Sequence, residues 1–187
     1  MLPLESVPNF SEGRDAATIE AIASALSQGV RLLDVHSDPD HHRSVFTVVG
    51  EDGPLVEALV GAVEVARDRI DLARHEGAHP RIGAADVVPL VPLKPADMER
   101  AKAAARELGG RLGELGLPVF LYGELSPDRG PAFFRRGGTE ELAARLADGL
   151  TPDFGPGELH PTAGAVIVGA RRPLIATGYG MAALGKV

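Results

Sequence analysis

The chain has 187 residues, 44% of them hydrophobic and 24% charged, which suffices for one good core and not for two. Its formal net charge of −7 comes without the clustered Lys and Arg that phosphate binding draws on, so no nucleic-acid partner is expected. The absence of cysteine excludes disulfides and thiolate metal sites and fits a reducing, cytoplasmic location. The opening residues, Met1 to Pro8, hold no basic stretch followed by an apolar one, and no run of about 18 apolar residues occurs. Neither a signal peptide nor a membrane span is expected.

Asp15 as a cap, then Ile19, Ile22, Ala23 and Leu26 at helical spacing, then Gly29 as a stop, predict a first helix. Two short apolar or β-branched runs, 31–35 and 44–49, flank the polar turn Ser37-Asp38-Pro39-Asp40 and predict an antiparallel pair. After Gly53-Pro54, the residues Leu55, Leu59, Val63 and Ala66, flanked by Val56 and Val60, make a wide helical stripe ending near Ile70. The run 87–93 predicts a strand that Pro89 and Pro92 restrict to an edge or make irregular.

Met98, Ala101, Ala105, Leu108 and Leu112 alternate steps of three and four, which places them on one face of a helix ending near Gly113 and Gly116. Val119 to Tyr122 predicts a buried strand and 139–150 a short helix, while 164–169 and 174–177 predict a final hairpin around Arg171-Arg172-Pro173. This order predicts an α/β fold of the α+β type, a single domain over residues 1–187. Its expected form is a two-layer, ferredoxin-like sandwich, with a mixed, mostly antiparallel sheet and helices on one face. Segments 123–138 and 150–162, rich in Gly and Pro, are the least regular, as functional loops often are.

The densest group of titratable side chains lies in 74–86, where Arg74, His75, Glu76, His79, Arg81 and Asp86 stand among Gly77, Pro80 and Gly83. His75 and His79 have the i, i+4 spacing of a helical zinc pair, yet Gly77 between them and Pro80 after them oppose a helix, so no shared metal is expected. Pro80 biases His79 toward extended backbone, where it is a candidate general acid or base near neutral pH. Capping of the preceding helix is the structural alternative. Arg81 suits a substrate carboxylate through its planar fork, or a salt bridge to Asp86.

A second group, 36–44, holds His36, His41 and His42 with Asp38, Asp40 and Arg43. Its acids suit a turn, its spacing matches no zinc or calcium pattern, and Arg43 is a candidate anion contact. A third segment, 152–164, is either an ordinary loop or a glycine-rich one offering backbone N–H groups to a polar ligand. No phosphate-loop, dinucleotide Gly-x-Gly-x-x-Gly or Gly-x-Ser-x-Gly motif is present.

Taken in order and spacing, Val7-Pro8-Asn9-Phe10-Ser11-Glu12-Gly13, Asp34-Val35 through Arg43-Ser44-Val45, Arg74-His75 through Arg81-Ile82-Gly83, and Pro152-Asp153-Phe154-Gly155-Pro156 resemble the formiminotransferase amino-terminal subdomain. Tyr122-Gly123-Glu124 and Gly169-Ala170-Arg171 extend the resemblance, which covers nearly the whole chain. It implies a folate-dependent transferase that moves a formimino group from N-formiminoglutamate to N5 of tetrahydrofolate, the co-substrate, without a metal. It assigns catalysis to His79, and His75 is read as a supporting residue of the same loop. Folate contacts fall on Gly155, Pro156, Gly157, Glu158, Leu159, His160, Pro161, Thr162, Ala163 and Gly164.

Arg43 and Arg81 are added here as candidates for holding substrate carboxylates. Ala78 stands where relatives commonly carry Glu, and His42 where Asn is usual. The family enzyme places folate in a cleft between this subdomain and a second, similarly folded one. That implies completion of the site by a second copy in a homodimer or by a separate C-terminal-subdomain partner. Residues 178–187 depart from the family sequence. The competing reading is a non-catalytic folate- or glutamate-binding module, or a degenerate paralogue of the enzyme.

Overall fold

A computed structural model describes residues 2–78 and 80–173. The chain opens with two strand fragments, β1 (Leu4–Ser6) and β2 (Asn9–Phe10), broken by Val7-Pro8. Both pair with the same two neighbours, so they act as one interrupted strand. Fragments this short around a proline carry no readable alternation, and sequence reasoning passes over them. Helix α1 (Ala16–Leu26) begins as expected, with the Asp15 carboxylate accepting from the N–H groups of Ala17 and Thr18.

Strands β3 (Arg31–Asp38) and β4 (Arg43–Gly50) form the expected antiparallel pair, with Asp38 opposite Arg43. Helix α2 (Asp52–Arg69) buries the predicted stripe, Leu55, Leu59, Val63 and Ala66 among it. A 3-10 turn at Leu72–Arg74 leads through the histidine loop to β5 (Ala85–Pro92). Then follow α3 (Met98–Glu114), β6 (Val119–Gly123), α4 (Pro131–Arg135), α5 (Gly138–Ala147) and β7 (Val166–Ala170).

The sheet runs β3, β4, β1 with β2, β5, β7, β6. Its first four positions are the expected ferredoxin-like unit, and every pairing within them is antiparallel. Strand β7 joins β5 and β6 in parallel, so the sheet is mixed and mostly antiparallel. Helices α1, α2 and α3 cover one face, where Ile22, Leu26, Leu55, Leu59, Leu108 and Leu112 are fully buried. This apolar burial makes the two-layer sandwich.

The short α4 and α5, which lie between β6 and β7 in the chain, put Phe134, Leu142 and Leu146 against Phe120, Tyr122 and Ile167 on the other face. Helices therefore stand on both faces at the β6 edge, where the sequence reading placed them on one. Helix α4 spans only five residues inside a Gly- and Pro-rich segment, too short for a period to show. Over β4 the same face keeps Val45, Thr47 and Val49 only partly buried.

Of the two alternatives for β5, an edge or an irregular strand, the second holds: the strand lies inside the sheet, and its pairing with β2 shifts register. The register explains how its prolines are accommodated. Ser6 pairs with Leu90 and Asn9 with Val87, so Pro89 falls opposite the Val7-Pro8 break, where no ladder acceptor goes unmet. The Pro89 carbonyl accepts from Ser6 Oγ at 2.7 Å, and Pro92 closes the strand. The expected final hairpin is represented by β7 alone, whose described partners are both parallel. Its second arm, 174–177, lies outside the described residues. Among the described residues no helix is long and apolar enough to cross a membrane.

Candidate active site

Three segments distant in sequence meet at one end of β2, β4 and β5: residues 11–14, the β3–β4 turn, and the loop 75–83. Ser11 ties the first to the third, its N–H donating to Ala84 O at 2.8 Å and its hydroxyl to Gly83 O at 2.7 Å. Two glycines let the backbones close up. A Cβ at Gly13 would sit 2.3 Å from Asp38 O, and one at Gly77 would sit 2.8 Å from His41 O and 2.8 Å from the His42 Cβ.

Glu12 is the hinge of the cluster. Its Oε1 accepts from the N–H groups of Arg14 (2.8 Å) and Asp15 (2.9 Å) at the start of α1, and from His42 Nε2 at 3.0 Å. Burial pushes the Glu12 carboxyl up, but those donors outweigh it and hold it below its ordinary value. His42 has φ of 49°, a left-handed conformation uncommon outside glycine, and its Nδ1 donates to Glu76 O at 2.9 Å. Both His42 nitrogens thus face oxygen atoms, which fixes the ring between residues 12 and 76.

His75 stacks on this ring with centroids 3.9 Å apart. Its Nε2 donates to His42 O at 3.2 Å, while Nδ1 accepts from Arg81 Nη1. Those are the contacts of a neutral imidazole. Burial, then the charges of Arg81 and His42, lower its pKa to about 4. The second Arg81 nitrogen, Nη2, donates to His41 O at 3.2 Å, so the Arg81 fork braces the loop against the turn. His79, the residue expected to do the chemistry, is the one position of this loop outside the described residues.

The Arg81–Asp86 salt bridge weighed from sequence is replaced by another pair. Asp86, only 3% exposed, accepts from Ile82 N at 2.8 Å through Oδ1 and from Arg135 Nε (2.9 Å) and Nη2 (2.5 Å) through Oδ2. Helix α4 is thereby pinned to the root of the histidine loop. Beside it, on the sheet face that α1 to α3 do not cover, lies a cleft of about 230 Å³ lined by Asn9, Arg43, Val87, Tyr122, Arg135 and Arg171 among others.

The segment 155–164 divides. His160 and Gly164 bond each other's backbones at 3.0 and 2.9 Å, Thr162 O accepts from Leu72 N at 2.8 Å, and Ala163 O accepts from Ala84 N at 2.9 Å. Its second half, with Pro161, therefore sits beside the histidine loop. His160 itself closes a turn, with Nδ1 accepting from Ala163 N at 3.1 Å. Gly155, with φ of 83°, packs instead near Gly113 at the end of α3, where a Cβ would lie 2.1 Å from Leu117 O. Pro156, Gly157, Glu158 and Leu159 connect these two positions.

Arg43 reaches the cleft and Arg81 the histidine cluster, so the two arginines proposed from sequence flank a common region. Glu12, Tyr122, Arg135 and the anchoring role of Asp86 were not singled out. Glu12 lay inside a string already noted for its resemblance, whereas Arg135 lay in an irregular segment with no pattern to mark it. Among the described residues no three His, Asp or Glu side chains gather as a metal-holding group.

Comparison with known proteins adds an independent line. The model of the formiminotransferase domain, N-terminal subdomain, matches residues 3–171. Glutamate formimidoyltransferase of Streptococcus pyogenes serotype M1 is 41% identical over 180 residues, which are 92% of this chain and 60% of that protein. Glutamate formimidoyltransferase of Thermoplasma acidophilum is 44% identical over 182 residues, again 92% and 60%. The formimidoyltransferase-cyclodeaminase of Sus scrofa is 43% identical over 181 residues, 92% of this chain and 33% of its own length. The chain thus spans 60% of the two shorter relatives and 33% of the bifunctional one.

Proposed function

Because the chain belongs to the formiminotransferase domain family, as its N-terminal subdomain, we propose that it takes part in moving a formimino group from N-formiminoglutamate to tetrahydrofolate. In this reading N5 of tetrahydrofolate attacks the formimino carbon to give a tetrahedral adduct. His79 accepts the N5 proton and returns it to the glutamate nitrogen, whose bond to carbon then breaks. Products are 5-formiminotetrahydrofolate and glutamate, with protons balanced and no metal required. Holding both amines against one carbon supplies much of the acceleration.

The observation that supports this most is the convergence of residues 11–14, 38–43 and the described part of the histidine loop, 75–78 and 80–83. Each is a segment in which the chain resembles the family. His75, neutral and locked between Arg81 and the His42 carbonyl, acts as a support for the loop. Arg43 serves as a carboxylate holder, and Arg81 is largely committed to the loop. Folate contacts in this reading come from 160–164 more than from 155–157.

A C-terminal subdomain completes the cleft, supplied by the same polypeptide, by a separate chain, or by a second copy in a homodimer. Residues 1–187 form a single domain, and the cytoplasm is the location assigned, in keeping with the absence of cysteine. The test is a tetrahydrofolate-dependent transfer assay run beside a measurement of solution mass. Transfer that requires His79 supports the reading. A wild-type protein that neither binds tetrahydrofolate nor turns over, alone or with a C-terminal partner, rejects it.

A further inference from the structure

The cleft beside α4 holds three arginines and one buried phenol, and their partners differ in a way that points to a ligand. Arg135 is neutralised within the fold by Asp86. Arg43 and Arg171 also line the cleft, and neither guanidinium has a hydrogen bond or ion pair among the described residues. The next residue makes the contrast plain, since Arg172 pairs with Glu124 at 2.8 Å. In a chain with 26 acidic and 19 basic residues, acids are not scarce, yet among the described residues none is set against these two. Uncompensated cations in a concave wall focus a positive field there.

Tyr122 shares the cleft. Its ring is packed in the core beneath α4 and α5 and only 4% exposed, and its hydroxyl has no hydrogen-bond partner among the described residues. Burial pushes its pKa up to about 12, so at neutral pH it remains a donor. Arg171 and Arg135 both act on it electrostatically. A donor-rich wall of one phenol and two unpaired guanidinium groups, with no free acid on it, complements a carboxylate.

The register gives the cleft its direction. Arg43 follows His42 at the end where Ser11 N donates to Ala84 O, while Arg171 N donates to Leu90 O farther along β5. Six residues of strand at ~3.3 Å each separate those levels, roughly 20 Å. One end is at the histidine cluster and the other is remote from it. We propose that Arg171, with the Tyr122 hydroxyl beside it, anchors a glutamate-type carboxylate of the substrate at the remote end, while Arg43 holds the same molecule near the histidine loop. This rests on the transferase reading, in which the donor and the folate both end in such carboxylates. The recognition chemistry is the same for either.

The experiment uses the full chain, with a C-terminal partner if transfer needs one, and compares wild type with Arg171→Gln, Arg171→Lys, Tyr122→Phe and, as control, Arg172→Gln. Loss of a charge-assisted contact is expected to raise the KM of one substrate about tenfold or more, with kcat changing less. Arg171→Lys recovers part of the loss, and Tyr122→Phe raises the same KM a few-fold. A rise for N-formimino-L-glutamate identifies the donor as occupant, and a rise for tetrahydrofolate identifies the folate tail. If turnover is absent, calorimetry with N-acetyl-L-glutamate and tetrahydrofolate reads the same factors as changes in Kd. Binding with no turnover rejects the transferase reading and leaves the anchor standing. Arg171→Gln that moves neither substrate, an equal effect from Arg172→Gln, or a wild type that binds neither probe overturns the proposal.

Discussion

On the face that α1, α2 and α3 cover, the strands present Phe46, Val48, Val88, Leu90, Val166 and Val168, all fully buried or nearly so and none charged. On the opposite face the same sheet presents Arg43, Asn9, Val87 and Tyr122 to a cleft, and over β4 it leaves Val45, Thr47 and Val49 half-covered. The first face is what close packing and apolar burial demand of a chain this long. The second packs α4 and α5 near its β6 edge and elsewhere leaves arginines and half-covered side chains open. Over β2 and β4, apolar burial lies on the helix side and the proposed recognition surface on the other, with the histidine loop at their common end.

Removing the proposed acid-base catalyst sets the sharpest contrast. His79→Ala is expected to lower transfer by about 10²- to 10⁴-fold, the usual contribution of a placed proton carrier, and to leave the thermal midpoint in place. A variant that keeps its activity takes catalysis away from His79. One that loses its fold shows the loop to be part of the stabilising side.

Leu108→Ala tests the packed face. Leu108 is fully buried in α3, and deleting its side chain is expected to cost about 2 to 5 kcal/mol in denaturant unfolding. Activity per folded molecule is expected to stay. Thr47→Ala, on the open face, is expected to change stability by no more than ~0.5 kcal/mol. Equal losses at the two positions break the comparison, because they imply that something covers the open face as tightly as the helices cover the other.

Much of this division is legible in the sequence, and its limits have physical reasons. Helices α1, α2 and α3 declare themselves because each buries a stripe, and period 3.6 survives in Leu55, Leu59, Val63 and in Ala101, Ala105, Leu108, Leu112. The interior position of β5 is hidden because Pro89 is tolerated only through the Val7-Pro8 break in a neighbouring strand far earlier in the chain, a compensation no local pattern records. Loop 74–86 stands out by its density of titratable groups. Its closest supports do not, since Glu12 lies 30 residues from His42 and Arg135 lies 49 from Asp86. Helix α4 leaves no period in five residues.

Glu12→Gln probes the join between the two regions. The amide keeps an acceptor oxygen but loses the charge that meets His42 and the start of α1, so the expected destabilisation is about 1 kcal/mol. Because His42 grips the Glu76 carbonyl, the rate is expected to fall by more than the stability change alone predicts. Equilibrium unfolding and kcat on the same sample separate the two effects. A stability loss with unchanged kcat makes the Glu12–His42 pair a helix anchor only.

The most specific effect is a pH dependence carried by His75. Its folded pKa lies near 4 against an ordinary 6.5, so in that interval the unfolded chain takes up a proton that the native ring refuses. More protons on the unfolded state mean that stability falls as pH drops from 6.5 toward 4, and that the contribution is fully present above 6.5. Glu12, whose depressed carboxyl protonates in the fold only below its ordinary 4.5, acts lower on the scale, so the two windows are distinguishable. His75→Gln is expected to flatten the decline between pH 6.5 and 4 without changing the steeper loss at lower pH. Chemical unfolding of both proteins at half-unit pH steps measures the difference directly. Parallel curves across that interval mean that His75 is already free to protonate in the native state, and that the loop is looser than the Arg81 and His42 contacts require.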